Sequence, residues 1–209
     1  MTENIKGNAK RNARGRTKFQ QRGFDLIQVS LYALLAAGII AVAFRYYRSN
    51  QRAQQVQQTA TDLQTVAAKT ASLFPAGTDY AAMGAAVSAA NCALAIQNQA
   101  FANSAFLVIA GAAGGGPTVN HPFDSGAVQC GATQLVVAND GFRIQLLGLT
   151  DQICADLVRN AQGGSRRILV DAVVVQPLNG PLVPATLGAQ CSAVANVDNH
   201  TVAFDFGRS

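Results

Sequence analysis

The chain has 209 residues and a formal charge of +5, a length that suits one ordinary globular domain with attached segments. The charge is uneven: residues 1–23 hold seven Lys and Arg against one acid, whereas the rest of the chain holds nine against ten. The folded part therefore lacks the cation excess of a nucleic-acid-binding domain, and we expect no nucleic-acid partner.

Residues 1–23 form a basic segment with few large apolar side chains; they cannot bury a core, so we expect them to be disordered in isolation. Residues 24–44 are a nearly unbroken apolar run, roughly 31 Å long as a helix, which matches the hydrocarbon core of a bilayer. The positive-inside rule places residues 1–23 in the cytoplasm and the domain after the run on the other side. No small-residue cleavage site follows the run, so it differs from an ordinary secretory signal.

Residues 45–74 contain no Gly or Pro and are predicted to continue the same helix. Val56, Leu63, Val66 and Leu73 recur at helical spacing, which predicts one narrow apolar stripe that packs on a domain. The opposite face is rich in Gln, Thr and Ala, and a Pro and a Gly shortly after the segment end the helix.

Residues 75–209 are predicted to form the exported domain. The predicted elements are an Ala-rich helix over 80–98, a Gly- and Pro-rich loop over 110–126, strands over 132–138 and 141–149 joined by an Asn-Asp-Gly turn, a helix over 151–161 with Thr150 as its N-cap, a buried strand over 166–175, a loop over 179–184 and a final strand over 200–207. The predicted fold class is therefore α+β, a long helix, transmembrane in its first half, packed on a mostly antiparallel sheet.

Four cysteines, Cys92, Cys130, Cys154 and Cys191, show neither C-x-x-C spacing nor the neighbouring His pair of a zinc site. Their even number and wide spacing favour two disulfides in an exported domain, and four buried free thiols are the alternative in a cytosolic protein. Because the apolar run gives the chain a route across a membrane, we favour the disulfides; the residues alone leave the pairing open.

No group of side chains in the sequence indicates catalysis, and we expect no enzyme activity, cofactor or metal. The Gly-rich stretch 111–117 lacks the Lys-Ser/Thr ending of a phosphate-binding loop. His121 and His200 lie far apart and are expected to cap a backbone group or contact solvent. Arg166 and Arg167 are expected at the solvated start of a strand.

The junction between the basic segment and the apolar run resembles that of the type IV pilins, most closely the type IVb branch of conjugative and colonisation pili. The resembling residues are the long basic leader, Gly23 followed by Phe24, and the stretch FDLIQVSLYALLAAGII. The segments GFRIQLLGLTDQICADLV and HTVAFDFG resemble the strand, the helix and the closing strand of the family's C-terminal half. Residues 75–125 carry no specific resemblance.

This resemblance implies a type IV pilin fold and a structural subunit. It implies that a prepilin peptidase removes residues 1–23 by cutting between Gly23 and Phe24, and that Phe24 becomes the N-methylated first residue. Inner-membrane assembly machinery would then draw the subunit out of the lipid into a helical filament of identical copies, for adhesion, aggregation or conjugative contact. Before assembly the leader would be cytoplasmic and the head periplasmic; afterwards the subunit would belong to a cell-surface pilus.

The resemblance also implies a disulfide between Cys154 and Cys191 that bounds the variable C-terminal region, and it leaves Cys92 and Cys130 as the remaining pair. One residue departs from the family pattern: the fifth residue after the cut is usually Glu and is here Gln28. Asp25, the second residue after the cut, is our candidate for the missing negative charge that would set the register between subunits.

Two alternatives stay open at this point. The departure at Gln28 leaves room for a minor pilin or a pseudopilin of a secretion-like system. A single-span membrane protein with an exported enzymatic or binding domain would share the same hydropathy pattern, and it would keep its leader.

Overall fold

The structure is a computed structural model that describes residues 18–74, 79–111, 116–123 and 126–207, with side chains from residue 27 onward. The chain divides into two units, Met1–Asn50 and Gln51–Ser209. Most of the predicted leader, residues 1–17, lies outside the described residues.

Helix α1 spans Lys18–Ser72 and begins six residues before the predicted start of the helix. The end of the leader is therefore helical, which corrects the expectation of disorder for this part. Lys, Gln and Arg are good helix formers, and a single Gly costs about 1 kcal/mol relative to Ala without stopping a helix. At the other end the N–H groups of Leu73 and Phe74 bond to the carbonyls of Thr70 and Ala71 at 3.1 and 3.2 Å and close the last turn.

The C-terminal half of α1, from Gln51, supplies one side of the head's hydrophobic core. Val56, Leu63 and Val66 are at most 1% exposed, as the apolar stripe in the sequence predicts. The buried hydroxyl of Thr59 donates to the carbonyl of Gln55 at 2.8 Å, so this face takes in a polar group without leaving it unpaired.

The head is built on one seven-stranded sheet in the order β1-β2-β3-β4-β7-β5-β6, with every neighbouring pair antiparallel. Its strands are β1 Leu107–Ile109, β2 Thr118–Asn120, β3 Ala127–Thr133, β4 Gly141–Leu149, β5 Arg167–Val170, β6 Val173–Gln176 and β7 His200–Gly207. The other helices are α2 Ala93–Gln97, α3 Asp151–Ala161 and α4 Pro184–Cys191, with short 3-10 turns at Ala81–Met83, Ala90–Cys92 and Val194–Asn196.

Strands β4 and β7 form the centre of the sheet, and alternation along them separates its two faces. Phe142 pairs with Phe206 and Ile144 with Phe204, and all four side chains are buried in the same core as the α1 stripe. Because side chains alternate, Arg143 lies on the opposite face. Strands β4 and β7 and helix α3 lie where the sequence predicts them, and the α+β fold class is confirmed.

The predicted Ala-rich helix over 80–98 is wrong, because this segment is broken into short turns. Gly84 adopts φ +84° and its carbonyl accepts the N–H of Ala132 at 2.8 Å. Ser88 exchanges two backbone hydrogen bonds of 3.0 Å with Cys130 in β3. The sheet edge therefore holds this segment extended where its composition favours a helix, and only α2 remains helical at its end.

The predicted strand over 132–138 is also wrong, since β3 ends at Thr133 and the rest of the segment is a loop. The carboxylate of Asp140 accepts the backbone N–H groups of Leu135, Val136 and Val137 at 2.7, 2.7 and 3.0 Å. This side chain replaces the ladder bonds that a strand would need. The strand that pairs with β4 is therefore β3, which lies earlier in the chain than the apolar residues of the predicted strand.

The predicted single strand over 166–175 is a hairpin of β5 and β6. Asp171 and Ala172 have φ +48° and +68°, the left-handed conformation that a two-residue hairpin turn requires. Asp is a usual choice at the first of these positions but Ala is not at the second, where Gly is expected, so the turn was not visible in the sequence. Part of the predicted loop 110–126 is strand β2, residues 112–115 and 124–125 of it lie outside the described residues, and α4 was not predicted.

We predict that Leu63→Ala destabilises the head by about 2–5 kcal/mol, because Leu63 is fully buried in the contact between α1 and the sheet. The exposed Gln57→Ala on the same helix is the control and should change the free energy of unfolding by less than about 0.5 kcal/mol. Urea denaturation of both variants measures the difference. Equal stabilities would contradict the role assigned to the stripe.

Candidate functional site

The first half of α1 exposes an apolar surface. Leu34 is 73% exposed and Ile39 70% exposed, and the other large apolar side chains between Ile27 and Phe44 are exposed as well. By length and composition the described helix from Ile27 is apolar enough to cross a membrane, and its most apolar stretch has no part buried inside the protein. Such a surface needs lipid or other protein to cover it.

The polar groups of this stretch are few. Ser30 donates its hydroxyl to the carbonyl of Ile27 at 2.8 Å, and the side chain of Gln28 is exposed. At the end of the apolar stretch the Arg48 guanidinium lies 4.7 Å from the ring centroid of Phe44, a cation–π contact.

Two disulfides fix the head. Cys92 in the broken helical segment is bonded to Cys130 in β3, and Cys154 in α3 is bonded to Cys191 at the end of α4. Each closes a loop of similar length, with sequence separations of 38 and 37. Helix α4 is therefore attached to α3 at its last residue.

A buried histidine connects three elements next to this second disulfide. His200 begins β7, and its side chain is 0% exposed. Its Nδ1 lies 2.8 Å from Oδ2 of Asp171 in the β5–β6 turn, and its Nε2 lies 3.0 Å from Oδ1 of Asp151 in the first turn of α3. The carboxylates also accept the backbone N–H groups of Thr201 and Asp198 at 2.8 and 3.1 Å. We call this arrangement the His200 bridge.

Both ring nitrogens of His200 face carboxylate oxygens, which only accept, so only the doubly protonated imidazolium donates to both. Burial opposes this charge, but the hydrogen bonds to Asp171 and Asp151 outweigh it and raise the pKa of His200. The N–H of Asp198 and then the imidazolium lower the pKa of Asp151. For Asp171 burial acts against ionisation, and the bonds from His200 and Thr201 still lower its pKa.

At the other end of β7 a buried carboxylate binds two arginines on the outer face of the sheet. Asp205 is 0% exposed. It accepts from Nε and Nη2 of Arg143 at 2.6 and 2.9 Å and from Nε of Arg167 at 2.6 Å. Arg167 also donates Nη2 to the carbonyl of Gln134 at 3.0 Å. A buried acid with these donors is a structural link, because three of its roughly four acceptor sites are already used by side chains of two other strands.

A family model described as PilS N terminal matches residues 53–206, most of the chain. The chain belongs to the PilS N-terminal family. No curated protein matches its sequence.

Two solved structures share the fold of this PilS-family chain. The type IVb pilin from Salmonella typhi is 18% identical with a TM-score of 0.53, and the match covers 72% of this chain and 98% of that one. TcpA, a type IV pilin from the Vibrio cholerae El Tor biotype, is 20% identical with a TM-score of 0.50, covering 75% and 99%. The predicted pilin fold and the resemblance to type IVb pilins are confirmed, and the chain is a pilin, a structural subunit of a filament and not an enzyme.

The predicted site residues of this PilS-family pilin fall into two groups. The structure brings together Cys154 with Cys191 and Cys92 with Cys130. Helix α1 includes Gly23, Phe24 and Asp25, and the structure describes their backbone but not their side chains. Gln28 lies one helical turn after Asp25, and it has no hydrogen-bond partner among the described side chains.

Sequence reasoning missed the groups that fix the two ends of β7. His121 and His200 were expected to cap a backbone group or contact solvent, and both are buried. His121 does bond a backbone group, since its Nε2 lies 2.8 Å from the carbonyl oxygen of Leu147, whereas His200 bonds two carboxylates instead. Arg167 is not simply solvated either, since it pairs with Asp205. A usable signal was present in the final strand, where Asp205 interrupts apolar residues and needs a cationic partner.

We predict that His200→Gln lowers the free energy of unfolding by about 1–3 kcal/mol at mildly acidic pH, because a buried donor to two carboxylates is lost. Because the pKa of His200 is raised in the folded state, its protonation stabilises the folded head fully at pH values below the pKa of an unfolded histidine, about 6.5. This contribution is lost as pH rises through the pKa of the folded state. Because the pKa values of Asp151 and Asp171 are lowered in the folded state, their ionisation stabilises the folded head above about pH 4. This contribution is lost as pH falls through the pKa values of the folded state.

The difference in free energy of unfolding between wild type and His200→Gln should therefore be largest between about pH 4 and 6.5 and should shrink toward pH 9. Urea denaturation of the full chain in detergent across this range measures it. Asp156→Asn, which changes a half-exposed acid in the same α3 helix, is the control and should leave the pH dependence unchanged. A gap of constant size from pH 5 to pH 9 would show that the bridge is not ionised.

Proposed function

We propose that this chain is the subunit of a type IVb pilus that polymerises through its N-terminal helix, for adhesion, aggregation or conjugative contact. The observation that carries the proposal is the exposed apolar surface of α1 between Ile27 and Phe44 on a chain with a pilin head. A soluble domain does not keep such a surface uncovered. Neighbouring copies of the same helix would cover it in a filament.

Before assembly, residues 24–44 span the inner membrane, with residues 1–23 in the cytoplasm and residues 75–209 in the periplasm. The seven cations of the leader support this orientation. The two disulfides of the head also support it, because such bonds persist in the oxidising periplasm. Residues 45–74 continue the helix into the head and supply its core.

Processing removes the leader between Gly23 and Phe24. A prepilin peptidase makes the cut and methylates the amine of Phe24, and the inner-membrane assembly machinery adds the subunit to the filament. The new amine lies at the start of an apolar helix, where a cation needs a partner. Asp25 and Gln28 are the polar groups nearest to it, and we assign them the register between adjacent subunits.

The mature N-terminus tests the processing. Mass spectrometry of sheared filaments should show N-methyl-Phe24, and Gly23→Leu should leave the leader attached and the chain in the membrane. Gly163→Leu is the matched control, since Gly163 is exposed on the head, outside the apolar stretch of α1, and a Cβ there meets no atom within 4 Å. Filaments built from a chain that retains residues 1–23 would refute this processing.

Moving the carboxylate from residue 25 to residue 28 tests the role of these residues in the register between adjacent subunits. We expect Asp25→Asn to reduce sheared filaments by about tenfold, because the cationic amine of Phe24 loses the carboxylate next to it in the sequence and an unpaired charge is costly in an apolar bundle. Adding Gln28→Glu to Asp25→Asn restores a carboxylate one turn away and should recover filaments. Normal filaments from Asp25→Asn alone would remove Asp25 from this role.

Gln28 also favours a second candidate, a minor pilin or pseudopilin that starts or tips the fibre. Such a subunit needs fewer contacts with copies of itself, so it can dispense with the carboxylate that repeats through a major filament. The stoichiometry of this chain in sheared filaments separates the two: a major subunit forms most of the protein mass, and a minor one only a trace.

A further inference from the structure

The head presents two exposed surfaces at opposite ends of strand β7. His200 begins this strand and Gly207 ends it, and seven steps of about 3.4 Å separate them by about 24 Å. The loop that follows β3 lies at the Gly207 end, because Gly141 in the same hairpin pairs with Gly207. The segment that precedes β7 lies at the His200 end. Each surface combines two exposed valines with one charged side chain.

The first surface, which we call the arginine end, consists of Val136, Val137 and Arg166. The valines are 73% and 62% exposed. Leu135 anchors the loop, since its side chain packs against Gly207, and the side chain of Arg166 lies close to the same glycine. The loop that carries the two valines therefore lies at the same end of β7 as Arg166.

The donors of Arg166 are only partly used. Among the described residues its one side-chain acceptor is Oδ1 of Asn179, which Nε reaches at 2.9 Å. The acids near the same loop already have donors: Asp140 accepts three backbone N–H groups, and Asp79 accepts the N–H of Ala81 at 3.2 Å. Arg166 therefore has terminal N–H groups to offer to an external carboxylate.

The second surface, which we call the aspartate end, consists of Val194, Val197 and Asp198. The valines are 89% and 57% exposed. The N–H of Asp198 bonds to the Asp151 carboxylate at 3.1 Å, which fixes its backbone beside the His200 bridge. Within the described part of the chain no donor reaches the carboxylate of Asp198. This surface therefore offers an acceptor beside an apolar pair.

The two surfaces are complementary, and within one copy the length of β7 keeps them apart. We propose that the arginine end of one copy docks on the aspartate end of a second copy of this chain, with Arg166 paired to Asp198 between the valine pairs. Different patches on the two partners make a heterologous contact, which repeats as an open helix or a ring. The inference rests on the proposed pilus function, and it assigns head contacts in addition to those of the N-terminal helices.

A charge exchange tests this contact in the full chain, expressed in cells that make its filaments. Arg166→Asp and Asp198→Arg should each reduce sheared filaments by about tenfold, because each brings like charges together across the interface. The double variant Arg166→Asp/Asp198→Arg restores an opposite pair and should return filaments to within about twofold of wild type. Retention of both disulfides in every variant checks that the head is folded.

The matched control is the double variant Asp156→Arg/Arg159→Asp, which exchanges an exposed pair whose partners, 3.4 Å apart, belong to one copy. It should leave filaments unchanged. Wild-type yields from both single variants would overturn the docking, and so would a double variant as poor as the singles. Absence of filaments from the wild-type chain would instead refute the pilus function itself, and the docking with it.

Discussion

The structure of the head depends on the burial of one stripe of α1 beneath the sheet. Val56, Leu63 and Val66 fill the inner face of β4 and β7, where Phe142 and Phe204 would otherwise be open to water. The same helix carries, before this stripe, an apolar surface that the protein leaves uncovered. A single continuous helix therefore combines part of the core of a folded domain with an exposed apolar surface, to which we assign polymerisation in our proposal.

Ion pairs and disulfides hold other parts of the head, namely the two ends of β7 and the segments that flank the sheet. The His200 bridge ties the start of β7 to α3 and to the β5–β6 turn, and Asp205 ties its end to β4 and β5. The disulfides attach the two flanking segments, one to β3 and one to α3. The two charged links lie at the two ends of β7, a central strand of the sheet.

The sequence correctly predicted the elements in which the periodicity of the apolar residues matches their burial in the structure. The α1 stripe, β4, α3 and β7 have clear periodicity and lie where that periodicity indicates. The failures have two different causes. Backbone bonds from Ser88 to the distant Cys130 in β3 hold an Ala-rich segment extended, whereas the carboxylate of Asp140, only a few residues away in the chain, turns an apolar segment into a loop. The disulfide pairs were reachable only through a family resemblance. The His200 bridge was not predictable, since Asp171 and Asp151 meet His200 only after three elements have packed.

The segment between Cys191 and His200 has a fixed point at each of its ends. Its first residue follows a covalent bond to α3, and its last precedes an ion pair with two acids. Neither fixed point uses the side chains of Val194 or Val197. Changes in their chemistry should therefore leave the fold of one subunit intact and alter only the surface that this subunit presents to a second copy.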